Sequence, residues 1–462
     1  MRVLFFVEPL TEIERPAWKI HWINYVAKMI ATLRREFTTT RFTCLVGDGL
    51  EDVARTTLHN CDIAVIRHTE LVPRFGDSAL AVATTWYRSP ASQSVRDMAD
   101  LVSCRAGGFA PDACITMSSA PFLAIAFPNV PVLHFELGMI SREPFPTTAY
   151  LDPEGMFCNA YPALHSESLK NFQPPEREVE VTNTLRRNFL SLIAEENPLT
   201  DRLKAALEGF ESSTLLALQF PRFVGYDAHA TFAEQYDLLI QTLEAASGSC
   251  AVVAVEHPQH PQLTDETVSY LRSRYRNFIW LPEFRRIPSA SQYLIEHVDS
   301  VVTVSSSVGL QSMLWKKPLL VPGHSHLDII ADSHSLSDLP QLANLAWPTY
   351  KENYLAWRLC HYDIPFSLLF DEGILAERIR MAQSCALGAD HSSYFSPPFT
   401  DVSAIRHAYS RDNIIAPLRA RIATLEKQVA DLDNELHETT SSSSWKITRP
   451  LRTARDWLFK WH

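Results

Sequence analysis

The sequence predicts an α/β protein built from two doubly wound, parallel-sheet domains in tandem. The chain has 462 residues, more than a single hydrophobic core usually supports. Short apolar runs alternate with helix-like segments, and this alternation starts again after a mostly helical region near residues 176–208. We therefore expect a first domain over 1–205 and a second domain, with closing helices, over 206–415. Ligands of such folds bind beyond the carboxyl ends of the strands, so the two domains should face each other across a binding cleft.

The first domain is predicted from apolar strands that alternate with helical spacing. Residues 3–7 are apolar and open the series, and residues 18–33 follow with the period of a helix. The stretch 136–165 is rich in Gly, Pro and aromatic residues without clear periodicity, which predicts a long functional loop. The other predicted strands of this domain are 42–46, 62–66, 113–117 and 130–135.

The second domain is predicted from a regular strand–helix series, which is typical of a parallel sheet with helices on both faces. The predicted strands are 214–218, 251–255, 278–281, 300–304 and 318–321. The predicted helices are 230–246, 264–275, 289–297 and 309–315.

Beyond residue 415 the pattern changes to a heptad repeat. Apolar residues follow one another at spacings of four and three, with charged residues between them. This spacing predicts a coiled coil over 416–440, whose 418–436 seam would bind a second copy of the chain or a partner helix. A short helix packed on the main body is the alternative. The seam residues are Leu418, Ile422, Leu425, Val429, Leu432 and Leu436.

The last segment, 441–462, is a predicted membrane-associating tail. Serines at 441–444 form a flexible linker, and the residues after it combine five basic side chains and three tryptophans with one acid. Such a segment is typical of an amphipathic helix on anionic lipid, although a basic helix could instead dock on its own acidic protein. The chain lacks an apolar run of bilayer-spanning length and a signal-peptide pattern. We therefore expect a cytoplasmic protein, peripheral at the membrane.

Composition and cysteine spacing exclude several other classes. The net charge is −11, so the basic surface of a nucleic-acid-binding protein is not expected. The eight cysteines include no CxxC pair, which argues against a zinc or redox site and favours a reducing compartment. The sheet-bearing part also lacks an Asp-x-Asp motif. We therefore expect neither a metal nor a cofactor.

Three consecutive serines follow the predicted strand 300–304. Ser305, Ser306 and Ser307 stand at the start of the next helix, where free N–H groups and hydroxyls can bind an anion such as a phosphate. Gly309 lies in the same turn and belongs to the same candidate site. Serine is also a common N-cap, so a purely structural role is the alternative.

Two histidines follow the predicted strand 251–255. His257 and His260 each precede a proline, which keeps both residues extended. A histidine at this place can donate to a phosphate oxygen or to a leaving group. The pair could instead bind a metal, or the rings could be structural, which applies more to His260.

Carboxylates and arginines occur in two further stretches. Gln219, Arg222 and Asp227 follow the first strand of the second domain, and Asp227 could attack an anomeric centre or simply cap the helix near residue 230.

The other stretch lies in the first domain. Glu136 could serve as general acid or base on a hydroxyl, with a buried salt bridge as the ordinary alternative. Arg142 could bind a carboxylate. Asp152 lies further along the same loop.

Taken in order, these stretches resemble a known family. They comprise Glu-Leu-Gly, Arg and Leu-Asp-Pro-x-Gly, then Gln-x-Pro and Asp, then His-Pro, then Ser-Ser-Val-Gly-Leu before Lys-Lys-Pro-Leu-Leu-Val-Pro-Gly. Over roughly 110–330 this order resembles the retaining β-Kdo transferases of bacterial capsule and O-antigen synthesis. The tail sequence Ser-Ser-Trp-Lys-Ile-Thr-Arg-Pro-Leu-Arg is similar to the tails of many polysaccharide-assembly transferases.

The resemblance implies a GT-B fold and metal-independent transfer of Kdo from CMP-Kdo, with retention, to a lipid-linked glycan at the inner membrane. It implies that Asp227 is the nucleophile, that Glu136 assists the acceptor, and that His257 and the serine run hold the CMP phosphate. The alternatives are a GT-B transferase using a CMP-sialic acid-like, UDP-hexose or GDP-hexose donor, or a non-catalytic polysaccharide-assembly scaffold. The remaining implied cleft residues are Gln219, Arg222 and Gly309 for the donor, and Arg142, Asp152 and His260 elsewhere.

Overall fold

This computed structural model divides the chain into two compact units, Met1–Ser410 and Arg411–His462. The residues that it describes are 1–10, 16–37, 39–76, 78–142, 145–193, 198–220, 224–246, 248–257, 260–287, 289–371, 373–385 and 391–441.

A largely parallel sheet forms the core of the first half of the larger unit. Its strands run in the order β12-β6-β5-β4-β1-β2-β3, where β1 to β5 are parallel to one another. β6 is antiparallel both to β5 and to the edge strand β12 (Ile364–Pro365). Strands between two layers of helices are buried on both faces, which explains why residues 3–6 of β1 are all apolar and buried. The first six strands are β1 (Arg2–Phe6), β2 (Arg41–Gly47), β3 (Asp62–Ile66), β4 (Ala113–Thr116), β5 (Val132–Leu137) and β6 (Thr148–Asp152).

Helices connect and cover these strands. The α-helices of this half are Pro16–Glu36, Glu51–Thr57, His68–Phe75, Ala79–Arg88, Gln93–Arg105, Phe122–Ala126, Tyr161–Leu164, Ser166–Lys170, Glu176–Ile193 and Pro198–Leu207, with 3₁₀ turns at Asp48–Leu50 and Phe157–Asn159.

The second sheet is parallel throughout, in the order β11-β10-β7-β8-β9. The chain leaves β7 toward β8 on one side and later adds β10 on the other side, so the topological switch point lies between β7 and β10. Loops that follow these two strands therefore diverge and leave a crevice. The strands are β7 (Ser212–Ala217), β8 (Cys250–Val255), β9 (Phe278–Ile279), β10 (Ser300–Val302) and β11 (Leu319–Leu320).

The helices of the second half are shorter than those predicted. The predicted helix 230–246 begins at Gln235, because Glu234 and Asp237 form a capping box there. The α-helices are Val224–Asp227, Gln235–Ala245, Asp265–Arg274, Glu283–Arg286, Ser291–Leu294, Ser307–Gln311 and Leu339–Leu342, with 3₁₀ turns at Ile295–His297, Ser312–Trp315 and Leu336–Asp338.

The end of the larger unit returns to the first sheet. β12 (Ile364–Pro365) pairs antiparallel with β6 at Ala149 and Thr148. The prediction of an irregular loop over 136–165 is therefore wrong for β6, whose residues are buried between β5 and β12. We call this part of the chain, from Thr349 to Ala408, the returning segment. Its helical elements are Thr349–Trp357, the π-helix Arg358–Tyr362, Phe366–Asp371, Ile374–Ser384, Ser392–Phe395 and Val402–Ala408.

The smaller unit contains one long α-helix, Arg411–Ser441. Ile422, Leu425, Val429 and Leu432 of the predicted seam are exposed along it. The assembly of this helix into a coiled coil remains a prediction, and the predicted membrane tail beyond Ser441 lies outside the described residues. Among the helices that the structure describes, none combines the length and the apolar character required to cross a bilayer.

These two Rossmann-like sheets, the first largely parallel and the second wholly parallel, face each other across a cleft. They confirm the predicted α/β class and its GT-B-like arrangement. The division at residue 205 remains a prediction. The returning segment contacts helices of the first half, such as Pro16–Glu36 and Glu176–Ile193, although the sequence prediction placed it with the second domain.

Candidate functional site

A cleft of about 440 Å³ lies where the two sheets face each other. Its wall comes from three parts of the chain, which are distant in sequence. From the first half it includes Tyr25, Glu136, Ser141, Arg142 and Tyr150; from the second half Leu218, Gln219, Phe220, Glu256, His257, Ser305, Ser306, Ser307 and Val308; and from the returning segment Arg358 and Tyr362.

Glu136 provides a carboxylate in this wall. It lies near the carboxyl end of β5, opposite Tyr150 of β6, and its Oε1 accepts a hydrogen bond of 2.7 Å from the backbone N–H of Leu137. Burial raises the pKa of Glu136 from 4.5 to about 7, although the Leu137 N–H, Lys19 and Arg142 act in the opposite direction. A carboxyl that titrates near neutral pH can take or give a proton during a reaction.

Arg142 supplies a positive charge to the same cleft. Its side chain is partly exposed, and no carboxylate of the described residues forms an ion pair with it. Its charge acts on both Glu136 and His257, since it lowers the pKa of each. The guanidinium is therefore available to a ligand anion.

The serine run follows β10, and the side chain of Gln219 holds it in place. The Gln219 Nε2 donates to Ser305 Oγ at 2.9 Å, while Gln219 Oε1 accepts from the Ser305 backbone N–H at 2.9 Å and from Thr303 Oγ1 at 3.2 Å. Ser306 is the N-cap of helix Ser307–Gln311 and accepts from the Val308 N–H. Gln219 thus lines the cleft as a residue that positions Ser305 at the switch point.

His257 lines the cleft at the end of β8, whereas His260 is not part of its wall. The two residues form a β-bridge, with the His260 N–H donating to the His257 carbonyl at 2.9 Å. Burial, and then the charges of Arg142 and His260, lower the pKa of His257 to about 4. His257 is therefore a neutral imidazole at physiological pH, which can donate one hydrogen bond.

Glu256, next to His257, supports this loop instead of facing a ligand freely. Its Oε1 accepts from the backbone N–H of Leu263 at 2.7 Å, and its Oε2 accepts from Arg285 Nε at 2.9 Å. Because its oxygens are engaged in this way, Glu256 connects the end of β8 to Leu263 and Arg285.

Asp152, predicted as a cleft residue, lies behind the wall. It is fully buried, and its carboxylate accepts from the backbone N–H groups of Glu154 and Tyr161 and from the hydroxyl of Tyr362, each at 2.8 Å. Burial raises the pKa of Asp152 to about 6. The structure therefore gives Asp152 a supporting role, since it fixes Tyr362, which does line the cleft.

Gly309, predicted as a donor-binding residue, is not in the wall of the cleft. A Cβ at this position would lie 2.7 Å from Leu327 Cδ1 and 3.1 Å from Thr303 Cγ2, so Gly309 lets the short helix pack closely against these two side chains.

Asp227 and Arg222 come from the loop after β7. Asp227 is the last residue of helix Val224–Asp227 and is not among the residues that line the cleft. Arg88 of the first half donates to the carbonyl oxygens of Asp227 and Ala228, at 3.3 and 2.5 Å. Arg222 lies outside the described residues.

Sequence reasoning missed the contribution of the returning segment. Arg358 lines the cleft and forms a buried bidentate pair with Asp363, with contacts of 2.7 and 2.9 Å. Asp363 Oδ1 also accepts from the Met139 N–H, which ties this pair to the loop after Glu136. These residues are more than 200 positions from Glu136 in sequence, and no local pattern connects them. A π-helix such as Arg358–Tyr362 often marks a functional site, but only the structure reveals it.

Comparison with known proteins yields structural likeness only. No family model matches the chain, and no curated protein matches it. Among solved structures, KpsC of Thermosulfurimonas dismutans, a beta Kdo 2,7 transferase, is 16% identical with a TM-score of 0.37, over 64% of this chain and 90% of that chain. The UDP-GlcNAc 2-epimerase of Methanocaldococcus jannaschii in complex with UDP-GlcNAc and UDP is 13% identical with a TM-score of 0.31, over 78% and 99%. MnaA of S. aureus with UDP is 12% identical with a TM-score of 0.32, over 86% and 97%.

Proposed function

We propose that the chain is a glycosyltransferase that uses a nucleotide sugar, and that it transfers Kdo from CMP-Kdo to a lipid-linked glycan with retention. The observation that carries this proposal is the composition of the cleft. Glu136, whose pKa is raised to about 7, shares the cleft with Arg142 and with the serine run at the switch point of the second sheet. This combination suits an anionic donor and a hydroxyl acceptor.

The donor phosphate is assigned to the second-domain side of the cleft. The hydroxyls of Ser306 and Ser307 and the neutral imidazole of His257 are the groups that would donate to phosphate oxygens there. CMP carries one phosphate, so a few neutral donors supply much of the stabilisation that its departure requires.

The sugar is assigned to the first-domain side. Kdo has a carboxylate on its anomeric carbon, so its site needs a cation, and Arg142 provides one. The resemblance in sequence order, together with this cation, favours CMP-Kdo over the uncharged sugars of UDP- and GDP-hexose donors.

Retention is assigned to two successive displacements. A carboxylate oxygen first bonds to the anomeric carbon as the bond to the CMP phosphate oxygen breaks. The acceptor oxygen then displaces the carboxylate, and its proton passes to Glu136, the proposed general base. Asp227 remains the proposed nucleophile, although it is not in the wall of the cleft.

Segment 441–462 is proposed to bring the enzyme to the anionic membrane that carries the acceptor.

Donor identity is tested first with binding and mass measurements on the full chain. We expect CMP to bind in calorimetry at least about tenfold more tightly than UDP or GDP. Incubation with CMP-Kdo should add the mass of one Kdo to the intact protein, and this adduct should be absent in Asp227→Ala. An adduct that persists in Asp227→Ala would move the nucleophile to another carboxylate. Tighter binding of UDP or GDP than of CMP would contradict the proposed donor.

Removal of Arg142 should weaken recognition of the sugar but not of the nucleotide. A hydrogen bond to a charged group contributes about 1.5–3 kcal/mol, which corresponds to roughly a 10- to 150-fold rise in KM for CMP-Kdo in Arg142→Ala. The affinity for CMP, which lacks the sugar carboxylate, should change by less than about threefold. Arg187→Ala is the matched control, because Arg187 is exposed and pairs with Glu180 on the surface. Equal losses of CMP and CMP-Kdo affinity would assign Arg142 to the nucleotide instead.

A further inference from the structure

A second group of polar side chains lies outside the cleft, in the segment that follows β11. His324, Asp328 and His334 each present a possible ligand atom, and these atoms all lie within 4.8 Å of one another. None of the three residues lines the cleft. The group therefore lies outside the wall of the cleft, although His326, between His324 and Asp328 in sequence, is part of that wall.

The imidazole of His334 is oriented by the backbone. Its Nδ1 lies 2.8 Å from the carbonyl oxygen of Gly323 and 3.1 Å from that of Val321. Carbonyl oxygens only accept hydrogen bonds, so Nδ1 carries the proton and donates. In the neutral ring the lone pair is then on Nε2. A metal-bound histidine in proteins usually has this arrangement, with the second ring nitrogen donating to a carbonyl or a carboxylate.

The carboxylate of Asp328 is held in a similar way. Its Oδ1 accepts from the backbone N–H of Ser325 at 2.9 Å, which leaves Oδ2 directed toward His324 Nδ1 at 3.0 Å. The turn that makes this possible includes Gly323, whose φ of +94° is rarely adopted by other residues. Two of the three ligands are thus fixed by main-chain contacts before any ion binds.

The third ligand, His324, has an exposed side chain that contacts Asp328. Its side chain is 81% exposed, and its ring centroid lies 4.8 Å from that of His334. Ligand atoms at about 2.0–2.1 Å from a tetrahedral zinc ion are about 3.3 Å from one another. The His324–Asp328 distance of 3.0 Å is close to this value, and a rotation of the exposed His324 side chain can bring the group together.

We propose that His324, Asp328 and His334 form a binding site for a divalent cation of the zinc class. Two imidazoles and one carboxylate suit Zn²⁺, Co²⁺ or Ni²⁺, whereas Ca²⁺ and Mg²⁺ require a shell of oxygen ligands. With three protein ligands, water completes the tetrahedral coordination. The ion would connect the turn at Gly323 to the end of the segment at His334.

The test uses the full chain after treatment with a chelator. We expect one equivalent of Zn²⁺ to bind in competition with a chromophoric chelator. The affinity should fall at least about tenfold in His324→Ala and in His334→Ala. His324→Ala is the decisive variant, because its exposed side chain contributes little to folding and its thermal midpoint without metal should match that of wild type. His59→Ala is the matched control, since His59 is exposed elsewhere on the first half.

Cobalt distinguishes this site from the eight cysteines, which could also bind zinc. Co²⁺ bound by nitrogen and oxygen should give visible ligand-field bands without thiolate-to-cobalt charge-transfer absorption in the near ultraviolet, and His324→Ala should remove these bands. Charge-transfer absorption from thiolate, or a zinc affinity unchanged within about twofold in both histidine variants, would overturn the proposal.

Discussion

Glu136→Gln is expected to reduce kcat by roughly 10²- to 10⁴-fold, the usual contribution of a general base. The substitution retains the shape of the side chain but removes the proton acceptor from the cleft. In the wild-type enzyme, kcat/KM should rise with pH up to about 7, because burial raises the pKa of Glu136 to about that value and only the ionised form accepts a proton. The Gln variant should lose this limb of the pH profile. Glu167→Gln, at an exposed glutamate, is the control and should leave the profile unchanged.

The thermal midpoint of Glu136→Gln distinguishes a loss of catalysis from misfolding of the variant. The pKa of Glu136 in the folded protein is raised above its ordinary value of 4.5, so its contribution to stability is present below pH 4.5 and is lost as the pH rises through about 7. At pH 8 this partly buried carboxylate is ionised in surroundings that favour its neutral form, so it destabilises the fold. The thermal midpoint of Glu136→Gln at pH 8 should therefore equal or exceed that of the wild type. A lower midpoint together with the lost activity would contradict the proposed role.

The largest expected loss of stability follows from Arg358→Met. The side chains of Arg358 and Asp363 are 5% and 0% exposed, so the variant leaves a buried carboxylate without its cation. Breaking a buried ion pair in this way costs about 3–5 kcal/mol in the free energy of unfolding. Urea titration of the full chain, followed by tryptophan fluorescence, should show that the larger unit unfolds at a correspondingly lower urea concentration.

Two further variants isolate the cause of that loss. Arg358→Met combined with Asp363→Asn removes both charges and should recover a large part of the stability, because no unpaired charge then remains buried. Arg187→Met breaks an ion pair whose side chains are 68% and 41% exposed, and it should cost less than about 1 kcal/mol. If the double variant were no more stable than Arg358→Met, packing and not charge would account for the effect.

The fold class could be predicted from the sequence because it depends on local pattern. Buried parallel strands are continuous apolar runs, and the ends of β1 to β5 and of β7 to β11 all lie within about two residues of the predicted ends. β6 could not be predicted in this way. It lies in a stretch rich in Gly, Pro and aromatic residues, and it is a strand because β5 and β12 pair with it on either side.

The candidate site was predictable only where its residues follow strands. Glu136, Gln219, His257 and the serine run stand at strand ends, and the topology brings strand ends together. Asp152 also lies at a strand end, but its carboxylate points into a ring of N–H and hydroxyl donors that the sequence does not reveal. The role of Arg358 depends on pairing with Asp363 and on the return of the chain to the first sheet, so it required the structure.

The pairing of β12 with β6 has a consequence for synthesis of the chain. Ile364 meets Ala149 across roughly 215 residues of sequence, so the edge of β6 has no strand neighbour until the ribosome has passed that point. At about 5–20 residues per second this takes roughly 10–40 s, during which an unpaired strand edge is open to aggregation. Tyr362 and Arg358 arrive with the same segment, so the cleft wall is completed only late in translation. A nascent chain therefore carries Glu136 well before it has a finished binding site, and premature termination before residue 358 would yield a product without that part of the wall.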